Sequence, residues 1–185
     1  IRPIAACRDQ NKVKQWFKGE IRVGDLTDPQ YRREISSGVD VVCHAGGWAS
    51  MWSHNEVERT HFFEPTCDLI EAAIQNGVQR FIFANTVAIA AKAKDARPID
   101  DFAPKQHTGY WPHLDRLIDI DDHMRANSTR GMGMVALRLG AFVGTDAATG
   151  GALAGRLALL LKLQGVAKAL NSELDTRKLL DLIMD

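Results

Sequence analysis

Short apolar runs alternate with helix-like segments along most of the chain, and this alternation constrains the fold more than any other feature. The runs are typical of buried strands. They are Ile1–Cys7, Ile21–Val23, Val39–His44, Phe81–Ala84 and Met134–Leu139. Helical spacing or helix-start signals occur between them, at residues 11–18, after Pro29, at 55–76 and at 114–126. The alternation predicts βαβ units, and therefore an α/β fold with a parallel sheet and helices on both faces.

Two local signals predict where helices begin and end. Asp28 is placed to cap a helix whose first position is Pro29, since proline fits the first helical turn. Asn76–Gly77 is typical of a helix C-terminus, because glycine readily adopts the left-handed conformation needed there.

The charge and cysteine content exclude several classes of function. Among the 185 residues, 23 Lys and Arg balance 23 Asp and Glu. Binding to nucleic acid or an anionic membrane needs clustered basic residues, so we expect neither partner. Cys7, Cys43 and Cys67 occur at unrelated spacings, which predicts reduced, buried thiols in a cytoplasmic protein and no metal site. The start of the chain has no charged leader of a signal peptide, and the late apolar run 157–163 is too short to span a bilayer.

Polar or small residues directly follow several predicted strands. They are Arg8, Asp25, Ala45–Gly47 and Asn85–Thr86. Parallel α/β sheets bind ligands outside the carboxyl ends of their strands, so we expect these residues to lie along one rim.

The chain changes character after Gly144. Residues 145–155 are small and glycine-rich, and the remainder is leucine-rich with helical spacing and no strand signal. This change predicts a first domain over residues 1–148 and a helical connector or tail over residues 149–185.

Five segments share their order and spacing with one known family. They are Val23–Asp28 (VGDLTD), Asp40–Gly46 (DVVCHAG), Thr66–Ala73 (TCDLIEAA), Asn76–Ile82 (NGVQRFI) and Leu137–Gly144 (LRLGAFVG). Together they resemble the extended short-chain dehydrogenase/reductase family, which contains nucleotide-sugar epimerases and dehydratases. The resemblance covers residues 1 to about 145. It implies a Rossmann-like domain that binds NADP or NAD and acts on a small hydroxyl- or keto-bearing substrate.

The resemblance also implies a set of cofactor-binding residues. Asp25 would accept the exocyclic amine of adenine while Leu26 packs on the ring, although Asp25 equally suits a simple capped turn. Arg8 stands where the family reads the adenosine ribose, and a guanidinium there favours the 2′-phosphate of NADP. Asp9 beside Arg8 weakens this preference, so NAD stays an alternative cofactor. Arg8 and Asp9 equally suit a solvated pair of surface charges with no role in binding. Ala45, Gly46 and Gly47 would let the backbone approach the cofactor, but a ligand-free turn would need glycine as well.

The implied catalytic residues are Thr86, Tyr110 and His113. Thr86 occupies the position of the family's Ser/Thr, and Tyr110 that of the tyrosine that transfers a proton. The family's lysine, four residues after the tyrosine, is replaced by Leu114, so His113 or Arg116 would have to supply the positive charge. The alternative is that the aromatic segment beginning at Tyr110 is only a packed loop edge. His44 is expected to be structural.

Further aromatic side chains fall in the same loops. Trp48, Trp52 and Trp111 would either line a substrate pocket or serve as packing.

Two departures from the family pattern affect the expected function. The chain lacks the glycine-rich turn that binds pyrophosphate at a helix N-terminus, and it starts at what resembles the second strand, without Met. We therefore expect an N-terminally truncated domain that binds its cofactor poorly. Residues 169–185 also resemble the helix that enters a GAF domain, or else form an ordinary amphipathic helix.

Three hypotheses of function follow from this pattern. The first is an NAD(P)-dependent oxidoreductase or epimerase. The second is a non-catalytic nucleotide-sensing or association module of a signalling protein. The third is a partial gene product without selected function, whose missing central strand would favour aggregation or a homodimer.

Overall fold

The computed structural model describes residues 2–15, 17–47, 55–90 and 103–139. Its strands are β1 (Ile4–Cys7), β2 (Glu20–Val23), β3 (Val41–His44), β4 (Arg80–Thr86) and β5 (Gly133–Leu139). All pairs between these strands are parallel. The predicted α/β class with parallel strands is confirmed.

The five strands form two sheets in the described residues rather than one. β1 pairs with β2, and a second sheet has the order β3-β4-β5. In the second sheet, His44 lies opposite Phe83, which lies opposite Ala136. The carboxyl ends of β3, β4 and β5 therefore meet at one edge. The expectation of a missing central strand stays a prediction.

The helices are α1 (Asn11–Lys14), α2 (Pro29–Ser36), α3 (Asn55–Glu58), α4 (Glu64–Gln75) and α5 (Pro112–Asn127). A π-helical turn, Arg59–Phe63, joins α3 to α4. The predicted helix over residues 55–76 is thus helical throughout, but its middle is wound more loosely than the 3.6-residue period implies. α1 ends at Lys14, earlier than predicted.

Both predicted helix-end signals are confirmed. The Asp28 carboxylate accepts a hydrogen bond from the backbone N–H of Gln30 at 2.8 Å, with Pro29 in the first turn of α2. Gly77, after α4, has a φ of 71°. That left-handed conformation is available to glycine without strain.

The hydrophobic core lies between β4 and the two long helices α4 and α5. Phe81 and Phe83 of β4 are completely buried. The other buried members are Phe62, Leu69, Ile70, Ala73, Val78, Ile89, Leu114, Leu117, Ile118, Ile120, Met124 and Met132. Burying a large apolar side chain contributes about 1.5 to 3 kcal/mol, so this cluster is the main source of stability in the described residues.

Polar contacts attach α2 to α4. The Asn76 side-chain amide donates to the backbone oxygen of Arg33 at 2.9 Å and to Ser36 Oγ at 2.8 Å. The nearly buried Arg32 guanidinium lies 2.9 Å from the Asp68 carboxylate. These contacts hold the helix that follows β2 against the helix that precedes β4.

The cysteines differ from expectation in one respect. All three are free thiols, but Cys43 is exposed, and Cys7 and Cys67 are half-buried. The prediction of a buried thiol is therefore wrong for Cys43, because its side chain lies on a face of β3 that the described residues leave open. In the described ranges, no cluster of three metal-binding side chains occurs, and no helix is both long and apolar enough to cross a membrane.

Several predicted features fall outside the described residues. They are Trp48, Trp52, the boundary near residue 148, the tail over residues 149–185 and its GAF-like segment.

Candidate functional site

Arg8 and Asp25 lie together at the carboxyl ends of β1 and β2, as predicted for these two positions, whereas a single rim that also includes residues 45–47 and 85–86 stays a prediction, because β3 and β4 belong to the second sheet. An Arg8 guanidinium nitrogen is 3.9 Å from Asp25 Oδ2, and the Arg8 side chain is 81% exposed. Asp25 Oδ1 accepts hydrogen bonds from the backbone N–H and the hydroxyl of Thr27, both at 2.9 Å. These bonds, with the charges of Arg8 and His61, hold the pKa of Asp25 below its usual value. One carboxylate oxygen thus builds the turn, and the other faces the exposed cation.

Leu26 is partly buried and packs against the hydrophobic core. Its backbone oxygen accepts a hydrogen bond from Arg32. The structure therefore accounts for Leu26 by packing within the fold.

The glycines after β3 have different surroundings. A Cβ on Gly46 would lie 2.8 Å from Cε1 of His44, closer than real Cβ atoms approach, whereas a Cβ on Gly47 would meet nothing within 4 Å. Gly46 is therefore required by the His44 ring, whereas no atom of the described residues lies within reach of a Cβ on Gly47. Ala45, between His44 and Gly46, is half-buried.

His44 is a core residue, as the sequence predicts. It is buried, its Nε2 lies 3.0 Å from the Thr66 hydroxyl oxygen, and its ring stacks on Phe83 at a centroid distance of 5.6 Å. Burial lowers the pKa of His44 to about 4, so the imidazole is neutral near pH 7.

Thr86 is the last residue of β4, which extends beyond the predicted end at Ala84. Its hydroxyl accepts a hydrogen bond from the backbone N–H of Ala88 at 3.2 Å. The neighbouring Asn85 amide donates to the backbone oxygen of Leu117 at 3.3 Å. This bond links the carboxyl end of β4 to α5, whose first turn carries His113.

Tyr110 lies in the loop that precedes α5. Its side chain is 83% exposed and makes no hydrogen bond with the described residues. The carboxylate of Asp115 fixes the loop before Tyr110 in place, because it accepts hydrogen bonds from Thr108 N at 2.6 Å and from Gly109 N at 3.0 Å. In contrast, Trp111 Nε1 is buried and has no hydrogen-bond partner in the described part of the chain.

His113 contacts a buried carboxylate rather than Tyr110. Its Nδ1 lies 2.6 Å from Glu58 Oε1, and the Glu58 side chain is only 4% exposed. Arg116 lies 3.3 Å from Asp119 and 5.0 Å from the centroid of the Phe63 ring. Neither the His113 nor the Arg116 side chain has a contact with Tyr110 in the described residues.

Leu114, four residues after Tyr110, is buried in the core. If Tyr110 is the catalytic tyrosine that the resemblance implies, an aliphatic side chain stands at the sequence position expected for the lysine.

The sequence analysis missed Glu58 and Asp115. Both are acidic residues in helices, and from the sequence alone such residues are expected to be exposed to solvent. Their contacts, with His113 and Thr108, form only through tertiary packing or through the loop that enters α5.

The Arg8–Asp25 pair carries groups that could hold the adenosine end of a dinucleotide. Arg8 offers an exposed guanidinium, and Asp25 keeps one oxygen outside its turn. No glycine-rich turn opens α1, since residues 8–11 read Arg-Asp-Gln-Asn. The groups of this pair suit a sugar and a base, whereas the usual cradle for pyrophosphate does not occur among the described residues.

Comparison with known proteins identifies the class. A sequence model of the NAD dependent epimerase/dehydratase family matches residues 2–160. The chain belongs to that family. No curated protein sequence gives a significant match.

Solved structures share the Rossmann-like fold at low identity. The dTDP-glucose 4,6-dehydratase DesIV from Streptomyces venezuelae, solved with NAD and TYD bound, has a TM-score of 0.63 at 17% identity, over 73% of this chain and 45% of that chain. UDP-glucose 4-epimerase from Brucella ovis, in complex with NAD, has a TM-score of 0.61 at 18% identity, over 74% and 43%.

A short-chain dehydrogenase/reductase superfamily protein from Agrobacterium tumefaciens, with bound NAD, has a TM-score of 0.60 at 21% identity, over 74% of this chain and 48% of that chain. The chain thus spans less than half the length of each of these three structures.

Proposed function

We propose that this chain contributes the NAD(P)-binding rim and the proton-transfer residues of an oxidoreductase or epimerase that acts on a small hydroxyl- or keto-bearing substrate. The observation that carries the proposal is the pairing of Arg8 with Asp25 at adjacent strand ends, in a chain that belongs to the NAD dependent epimerase/dehydratase family. When bound, the nicotinamide ring accepts or returns a hydride.

In this proposal, each residue of the rim has a role. The Asp25 carboxylate accepts from the adenine amine, with Leu26 beside the base, and Arg8 contacts the ribose. The exposed guanidinium favours NADP, because it would pair with a 2′-phosphate through charge-assisted hydrogen bonds. NAD remains the alternative, as in the dehydratase and epimerase structures described above. Residues Ala45–Gly47 border the nicotinamide side.

The proposed catalytic residues act at the carboxyl end of β4 and the start of α5. Thr86 donates a hydrogen bond to the substrate oxygen, since its hydroxyl accepts from Ala88 and keeps its proton for another partner. Tyr110 and His113 are the two candidates for proton transfer. Nucleotide sugars are the substrate class we favour, because they are the substrates named for the epimerase and dehydratase neighbours.

The test is turnover by the full-length protein with NAD or NADP and a panel of UDP- and dTDP-sugars, followed by product analysis. We expect interconversion or oxidation of at least one sugar and a loss of about 100-fold or more in kcat for Thr86→Val. The control for loss of a threonine hydroxyl is Thr60→Val, in the π-helical turn. Thr27→Val is unsuitable, because Thr27 hydrogen-bonds Asp25. The absence of turnover with every sugar and both cofactors would overturn the proposal.

The second candidate is a non-catalytic module that senses a nucleotide. The buried Leu114 at the lysine position and the exposed, unsupported Tyr110 favour it. It predicts nucleotide binding that depends on Arg8 and Asp25, with no turnover of any substrate.

A further inference from the structure

We propose that Glu58 is a positioning residue that holds the proton of His113 on Nδ1, so that Nε2 of His113 is the proton acceptor from the substrate hydroxyl in place of Tyr110. The proton-acceptor part rests on the proposed function above. The positioning part concerns only this chain's own residues.

The contact between Glu58 and His113 has the geometry of a strong, charge-assisted hydrogen bond. Glu58 Oε1 and His113 Nδ1 are 2.6 Å apart, although 55 positions separate the two residues in sequence. An ionised carboxylate only accepts hydrogen bonds, so the proton between them belongs to Nδ1. In a neutral ring, Nε2 is then left with its lone pair.

The burial of Glu58 requires such a partner. Its side chain is 4% exposed, and an ionised carboxylate in that environment is costly unless it is paired and hydrogen-bonded. The neighbouring cation, Arg59, forms its ion pairs with Glu56 and Glu64. Among the described residues, His113 is the group that Glu58 contacts in this way.

The ring of His113 is held on a second side. Its centroid lies 5.8 Å from that of the buried Phe62, at an interplanar angle of 43°. Glu58 comes from α3, Phe62 from the π-helical turn and His113 from α5, so the ring orientation is set by elements distant in sequence. His113 remains 20% exposed, which leaves it accessible from outside.

Tyr110 has none of these supports. It is exposed, has no hydrogen bond with the described residues, and has leucine rather than lysine four residues later, at Leu114. An imidazole with its proton fixed on Nδ1 by a carboxylate is a known arrangement for general-base catalysis. In the step, the O–H proton of the substrate passes to Nε2 of His113. A bound NAD or NADP would supply the hydride acceptor for the adjacent C–H bond, so that loss of the proton to His113 and of the hydride to the cofactor would convert the alcohol to a carbonyl.

The first experiment measures the tautomer of His113 by ¹⁵N NMR of the imidazole nitrogens, without cofactor or substrate. We expect the Nδ1–H form in the native protein and a shift towards the Nε2–H form in Glu58→Met, which keeps the length of the side chain but removes the acceptor. Glu56→Gln, two residues away and exposed, is the control and leaves the tautomer unchanged. An Nε2–H form in the native protein, or an unchanged tautomer in Glu58→Met, would overturn the proposal.

The second experiment measures the reactivity of Nε2 with diethyl pyrocarbonate, read by peptide mass spectrometry. We expect modification of His113 to slow about tenfold in Glu58→Met, because the remaining lone pair then lies on Nδ1, beside the buried side chain. The exposed His61 is the internal control and reacts at the same rate in both proteins. Equal rates at His113 would contradict the assignment of Nε2 as the acceptor.

The third experiment separates this inference from the proposed function. In the full-length protein, Glu58→Met lowers kcat by about 100-fold or more with little change in KM, and Glu58→Gln, which retains an acceptor oxygen, recovers part of the loss. If Tyr110→Phe abolishes turnover while His113→Gln does not, the inference fails and the proposed function stands. If the native protein turns over no substrate, the proposed function fails, and the NMR and reactivity results still decide the positioning role of Glu58.

Discussion

Gly46 and His44 are in such close contact that a side chain on Gly46 would collide with the imidazole, its Cβ lying 2.8 Å from Cε1. The His44 ring cannot easily move aside, because it is buried, stacked on Phe83 and hydrogen-bonded to the Thr66 hydroxyl. The glycine is therefore explained by the core of this chain.

This contact predicts opposite behaviour for two adjacent glycines. Gly46→Ala destabilises the fold by about 1 to 3 kcal/mol, because the collision forces the His44 ring to move. Gly47→Ala changes stability by less than about 0.5 kcal/mol, since its Cβ meets nothing within 4 Å. Urea unfolding of both variants checks this. Equal effects would show that the His44 contact does not govern Gly46.

Leu114 is predicted to behave as a core residue rather than a vacant catalytic position. Leu114→Lys destabilises the chain by roughly 3 kcal/mol or more, because the ammonium group is buried without a partner. Leu114→Met, which keeps the volume, costs less than about 1.5 kcal/mol. Thermal unfolding measures both. A lysine variant as stable as the native chain would mean that the position opens to solvent and can host the family's cation.

The buried carboxylate of Asp121 is predicted to stabilise the contact between α5 and β5. It lies 2.6 Å from Lys105 Nζ and 3.5 Å from an Arg138 guanidinium nitrogen, and its side chain is 6% exposed. Asp121→Ala costs about 3 to 5 kcal/mol, since it leaves two nearly buried cations without this carboxylate.

Asp122 provides the matched comparison for Asp121. It also contacts Lys105, but its side chain is 55% exposed. Asp122→Ala therefore costs less than about 1 kcal/mol. Denaturant unfolding of Asp121→Ala and Asp122→Ala under the same conditions compares their free energies of unfolding. Losses of similar size in the two variants would contradict the prediction.

His44 is predicted to make the fold sensitive to acid. Burial lowers its pKa from 6.5 to about 4, so the unfolded chain binds the proton at higher pH than the folded chain does. The stability contribution is fully present above about pH 6.5 and is lost as the pH falls towards 4, by up to about 3 kcal/mol.

The acid sensitivity is measured as the difference in the free energy of unfolding between pH 7 and pH 4.5. His44→Gln, which can still hydrogen-bond Thr66, reduces that difference by about 2 kcal/mol. The exposed His61→Gln, which removes a histidine without opening the core, reduces it by much less. If the two variants behave alike, His44 does not titrate as its burial requires.

The sequence predicted the fold better than the site. Apolar runs such as the one around Phe81–Phe83 and capping signals such as Asp28–Pro29 act locally, so their outcome is visible in the sequence. The π-helical turn at Arg59–Phe63 was not visible, because a single extra residue in a helical turn leaves the apolar spacing nearly unchanged.

The site depends on contacts that sequence spacing does not contain. The proximity of Arg8 to Asp25 followed from the rule that parallel strands end at one edge. The pairing of Glu58 with His113 and the outward position of Tyr110 depend on how α3, α5 and the loop before α5 pack. No local pattern encodes that packing, so the sequence suggested Tyr110 and His113 without distinguishing their surroundings.

The central claim is that Arg8 and Asp25 form the nucleotide-binding rim, and calorimetric titration of the 185-residue chain with NADPH and NADH tests it most directly. We expect saturable binding weaker than micromolar, tighter for NADPH than for NADH, with the preference lost in Arg8→Gln and both ligands weakened in Asp25→Asn. Arg2→Gln, equally exposed and of the same charge change, leaves binding unaltered. Micromolar or tighter binding would contradict the expected need for a glycine-rich turn. No saturable binding, or binding indifferent to both Arg8 and Asp25, would contradict the central claim.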